Sequence, residues 1–157
     1  MKKFLFALLF IILFSTPAFA DVVWPSLYIA VGMLSVYVII AGLLIEWLFV
    51  KYFTDTNWLK AGLVAFGMNL ITCLLGIILI PISGLLVEFI MYPVSPATFH
   101  WSHWLMSYLV IILMNTLIEG LVIKLALKQK FKSVFWWLFG ANTISVLICI
   151  LYMVLKH

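Results

Sequence analysis

LLIEWLFVK at residues 43–51 and AFGMNLIT at residues 65–72 return in this chain as TLIEGLVIK at 116–124 and LFGANTIS at 138–145. The offset is 73 residues for both stretches. The match runs without a gap over 39–82 against 112–155, with 12 of 44 positions identical. Glu46 falls on Glu119, Lys51 on Lys124, Gly67 on Gly140, Asn69 on Asn142, and Thr72 on Ser145. Leucine and isoleucine matches carry little weight in so apolar a chain. The polar matches carry more, because the sequence holds only three Glu and four Asn. Polar residues recurring at fixed places inside apolar segments point to an internally duplicated membrane protein and make those residues the candidate site.

Composition agrees. Of 157 residues, 68% are hydrophobic and 9% charged, and the mean hydropathy is +1.31. A soluble domain carries about 25% charged residues, so this chain has too little polar surface to coat a globule, and the bilayer is its expected solvent. The net charge of +4 comes from nine Lys and no Arg against five acids. That is not the Arg-bearing basic face of a nucleic-acid binder. Catalytic chemistries find few supports. Asp21 and Asp55 fall on opposite sides of the expected membrane, and no His lies at inner depth to activate a serine such as that of Pro81-Ile82-Ser83-Gly84. His100 and His103 form an expected interfacial pair, with Glu88 near, but supply only two of the three or four ligands zinc needs. There is no phosphate-binding glycine loop and no Cys/His cluster. The expectation is a non-enzymatic protein without metal or cofactor, with Cys73 and Cys149 as reduced, buried packing residues.

Residues 1–20 read as a bacterial secretory signal: Lys2 and Lys3, an apolar core over 4–14, then Ala18-Phe19-Ala20 as the cleavage site. A retained fifth helix is the alternative. Four spans follow, at about 27–53, 58–82, 104–127 and 134–155, each near or above the roughly 20 residues needed to cross the hydrocarbon. A short polar connection, 54–57, joins the first two. An outer interfacial connection, 83–103, is broken by Gly84, Pro93 and Pro96. A cleaved signal puts the mature N-terminus outside. The inner loops are then 51–60 and 124–133, which hold Lys51, Lys60, Lys124, Lys128, Lys130 and Lys132 against the single acid Asp55. The positive-inside rule independently demands the same orientation. The expected fold is an all-α membrane domain, 21–157, of four transmembrane helices. They form two tandem helical hairpins of the same orientation (about 27–82 and 104–155), with both termini outside the cytoplasm of a bacterial inner membrane.

Helical rise then sets depth. Glu46 lies roughly 10 Å from the inner end of its helix and Asn69 roughly 16 Å from the same side, and Glu119 and Asn142 repeat this. Asn69, Thr72, Cys73 and Gly76 share one helical face, as do Asn142, Ser145 and Cys149, and Asn115 stacks on Glu119. Glu46, Asn69, Thr72, Asn115, Glu119, Asn142 and Ser145 are therefore the candidate binding set. Lys51 and Lys124 read as snorkelling anchors, and Lys128, Lys130 and Lys132 as contacts to anionic lipid headgroups. Two functions fit. One is a small transport or permeation unit handling a proton or small cation. The other is a non-catalytic scaffold or accessory subunit whose Glu–Asn bonds only hold helices together. A homo-oligomer or a membrane partner protein suits either.

Overall fold

The computed structural model describes residues 25–94 and 100–156. The expected signal segment 1–20 lies outside them. Among the described residues five helices follow in order: α1 (Pro25–Met33), α2 (Val36–Phe53), α3 (Trp58–Met91), α4 (Trp101–Leu127) and α5 (Phe131–Lys156). The last four are long and apolar enough to cross a membrane. Their outward faces are apolar as well, with Leu59, Phe89 and Leu125 each more than three-quarters exposed. Such a surface is stable only with lipid as its solvent.

The short connections have local causes. After α2 the chain turns through 54–57, and Asn57 caps α3 by accepting a hydrogen bond from the Lys60 amide at 2.8 Å. The Trp47 indole donates to the Trp58 carbonyl at 2.9 Å, tying the two sides of the turn. Between α4 and α5 the chain reverses at Lys128, which adopts the left-handed conformation (φ 54°) that ends many helices.

Three expectations change. The first span divides at Leu34–Ser35, leaving α1 as a separate nine-residue helix. The second does not end at 82. It runs through Pro81 and Gly84 to Met91, so 34 residues form one helix of about 51 Å. Proline is tolerated within helices in lipid because neighbouring groups satisfy the freed carbonyl. The segment 85–92 is therefore mostly the end of α3, and its Val87 and Met91 are buried. Third, the two histidines do not form a pair. His100 is the exposed N-cap of α4, in extended conformation and outside the helical spacing, with its ring accepting from the Ser102 amide. His103 is fully buried and faces Glu88 of α3, Nδ1 to Oε2 at 3.3 Å.

The four long helices close into a ring, α2 on α3, α3 on α4, α4 on α5, and α5 back on α2. Phe53 stacks on Trp137 at 4.0 Å and Tyr37 lies 6.2 Å from Tyr152, so α2 and α5 run antiparallel. The short helix α1 leans across the end remote from the two loops and touches α2, α3, α4 and α5. Gly32 allows this: a Cβ there would sit 2.6 Å from Met153 Sδ and 3.0 Å from Cys149 Sγ. The Cys149 thiol in turn donates to the Ile29 carbonyl at 3.6 Å. Buried Cys149 is the packing residue expected, whereas Cys73 is exposed. Two apolar clusters result. One, toward the loops, contains Val50, Ala61, Ala65, Met68, Ile123, Val134 and Leu138. The other, under α1, contains Ile29, Val38, Ile111, Ile112, Val146 and Cys149.

Candidate functional site: a polar layer between two apolar clusters

Glu46, Asn69, Glu119 and Asn142 occupy one layer between those clusters. Each faces inward because it shares a helical face with the buried residue one turn nearer the loops: Val50, Ala65, Ile123 and Leu138, four positions away in every case. Those four are no more than 2% exposed. They form an apolar floor that separates the polar layer from the loop end of the bundle.

Within the layer the two halves of the chain make the same bonds. The Asn69 amide nitrogen donates to Glu46 Oε2 and to the Ala65 carbonyl, the latter at 3.0 Å. The Asn142 amide nitrogen donates to Glu119 Oε2 at 2.6 Å and to the Leu138 carbonyl at 3.1 Å. A backbone carbonyl can only accept, so the nitrogen of each amide must face it, and the orientation of both asparagines is set. Both protons of each amide are then in use. Oε1 of each glutamate and Oδ1 of each asparagine remain as acceptor capacity. Glu46 is 3% and Glu119 1% exposed.

Above the layer, on the side away from the loops, lies a cavity of about 420 Å³. Its lining includes all seven candidate residues: Glu46, Asn69, Thr72, Asn115, Glu119, Asn142 and Ser145. Thr72 Oγ1 and Ser145 Oγ are buried there without a hydrogen-bond partner. Gly42 also borders it, and a Cβ at that position would lie 3.7 Å from Ser145 Oγ, so α2 and α5 approach closely at this level.

The cavity is not symmetric about the repeat. Cys73 and Gly76 of α3 line it, but their counterparts Val146 and Cys149 are buried under α1. The cavity therefore opens between α2 and α3, where Ile39, Phe66, Leu70 and Ile77 form a rim that is 43–69% exposed.

The lysines lie apart from the site. Lys51 is half-buried with its ammonium 5.6 Å from the Trp58 ring centre. Lys124, Lys128, Lys130 and Lys132 are exposed at the ends of α4 and α5. Among the described residues no three His, Cys, Asp or Glu side chains gather as a metal site would require. The floor residues and the apolar rim were not singled out from sequence. A Leu or Val four positions from a polar residue is unremarkable where two-thirds of the residues are apolar, and the division of the first span at Leu34–Ser35 has no proline to mark it. No protein family, curated protein or solved structure matches the chain.

Proposed function

We propose that this is a multi-pass membrane protein acting as a small transport or permeation unit, in which Glu46/Asn69 and Glu119/Asn142 bind a proton or small cation. One observation carries the reading. Two glutamates and two asparagines converge on one cavity, and because the amide protons of Asn69 and Asn142 are already used, Oε1 of each glutamate and Oδ1 of these two asparagines are left as acceptors. Acceptors left over within the Glu/Asn layer suit a proton or a cation. Two carboxyl groups buried in an apolar layer and lining one cavity are also costly to ionise, and a bound proton or cation relieves that cost.

In the membrane, α2–α3 and α4–α5 form two hairpins of the same orientation. The lysine-bearing loops 51–60 and 124–133 face the cytoplasm and both termini lie outside, following the charge asymmetry. The cavity then faces away from the cytoplasm, and the apolar floor is the barrier that must part for passage. A scaffold role is the competing reading, favoured by the fact that each Glu–Asn bond joins two sequential helices.

The test is Glu46→Gln with Glu119→Gln, which keeps hydrogen-bonding capacity and removes ionisation. Proteoliposomes containing the wild type and loaded with a pH-sensitive dye are expected to show protein-dependent proton flux, or proton release driven by a sodium or methylammonium gradient. The double variant, assembled normally, is expected to lose it. Equal flux in both proteins refutes the ionisable site, and absence of any flux from the wild type favours the scaffold.

A further inference from the structure

We infer that the cavity takes an amphipathic organic cation, an ammonium group carrying an apolar body, rather than a bare inorganic ion. This rests on the cation-binding reading above and names the class of ligand. Three observations lead to it. First, a volume of about 420 Å³ lies in the range of pockets that hold small organic molecules and far exceeds what a dehydrated ion fills. Second, the polar groups are confined to one end. Glu46 and Glu119 lie at the floor, Asn115 and the unpartnered hydroxyls of Thr72 and the 95% buried Ser145 lie about one turn above it, and the walls beyond, toward α1, are apolar, with Leu34, Val38 and Ile80 among them. A ligand that satisfies both ends has a donor-rich cationic head and a hydrocarbon body. Third, the rim between α2 and α3 lies on outward apolar helix faces, so the mouth meets lipid. A hydrated ion does not enter by that route, whereas an amphipathic amine already partitioned into the bilayer does.

An ammonium head supplies N–H donors to Oε1 of the glutamates and Oδ1 of the asparagines, and the Ser145 hydroxyl is free to accept or donate. The body displaces nothing polar from the walls. Its affinity therefore rises with chain length until the cavity is filled.

The experiment is equilibrium binding of tritiated n-hexylammonium to the full chain in lipid nanodiscs, with empty nanodiscs as background, displaced by the series methyl- to hexylammonium. Saturable binding is expected, with competition tightening about fourfold for each added methylene, the increment for burying one CH2. Glu46→Gln/Glu119→Gln abolishes binding. Gly76→Phe places a ring in the apolar part, where a Cβ meets only the movable Ile80 side chain at 3.3 Å. It is expected to remove the gain with chain length while leaving methylammonium competition intact. If Gly76→Phe fails to assemble, Cys73→Phe, from an exposed lining position, serves the same purpose.

A series flat in chain length, or no saturable hexylammonium binding while carboxyl-dependent proton or sodium flux persists, overturns the ligand class and leaves the small-cation reading standing. Hexylammonium binding and flux both indifferent to the double Gln variant overturn the two together. Competition by neutral n-hexanol equal to that of hexylammonium identifies a site for lipid tails and overturns the inference.

Discussion

Asn142→Ala is expected to destabilise the protein more than Asn69→Ala, although the two residues make equivalent bonds. The Asn142–Glu119 bond is 2.6 Å long and both partners are almost fully enclosed, at 2% and 1% exposure. Losing it leaves the Glu119 carboxyl without its amide donor in an apolar layer. Bonds to charged groups contribute roughly 1.5–3 kcal/mol in soluble proteins, whereas interhelical bonds in membranes average about 0.6 and reach about 1.7 kcal/mol. The enclosure of this pair places it at the upper end of the membrane range, about 1.5 kcal/mol. Asn69 is half-buried and borders the open side of the cavity, where water or a ligand can replace it. The coupling of Asn69 to Glu46 is therefore expected at about 0.5 kcal/mol.

The measurement is a double-mutant cycle for each pair, Asn142→Ala with Glu119→Ala and Asn69→Ala with Glu46→Ala. Reversible unfolding is followed by tryptophan fluorescence as sodium dodecyl sulfate is added to mixed micelles. The cycle removes the packing cost of each truncation and isolates the pairwise term. Glu119→Gln, which keeps an acceptor for Asn142, is expected to retain most of the coupling. Coupling below about 0.3 kcal/mol at 119/142, or a larger value at 46/69, would refute the argument from enclosure.

Other consequences follow from particular contacts. Gly120→Ala places a Cβ 2.6 Å from the Phe131 ring, and Gly32→Ala places one 2.6 Å from Met153 Sδ and 3.0 Å from the buried Cys149 Sγ. Each is expected to cost about 1–3 kcal/mol by the same unfolding assay, and Phe131→Leu is expected to rescue the first. Lys128→Gly relieves a left-handed residue at the C-cap of α4 and is expected to stabilise by up to about 1 kcal/mol. A loss of stability there would mean that the lysine side chain has a tertiary role. His103→Ala, which removes a fully buried ring facing Glu88, is expected to lower the melting temperature in detergent more than His100→Ala at an exposed N-cap. Equal shifts would contradict the difference in burial.

By itself the sequence determined that the chain is helical and suited to a membrane, because 68% apolar composition and apolar runs of 20 or more residues leave no other solvent. It also singled out the Glu and Asn residues that line one cavity, since a Glu or Asn inside such a run is costly and therefore informative. The short connection 54–57 and the helix start at Trp58 were legible because turn residues interrupt the apolar pattern there. Only the tertiary structure decided what the apolar residues do. Leu, Val and Ile look alike along the sequence whether they face lipid, floor a polar layer or wall a cavity, because hydropathy within a uniformly apolar helix has almost no periodicity to read. Packing gives Val50, Ala65, Ile123 and Leu138 one task, and Ile39, Phe66, Leu70 and Ile77 another. It also makes the two halves unequal. Gly32 lets α1 rest against Cys149 and Met153, so Val146 and Cys149 of the second half are buried with Ile29 while their counterparts Cys73 and Gly76 line the cavity. That asymmetry is a contact between residues more than a hundred positions apart, and no local pattern encodes it.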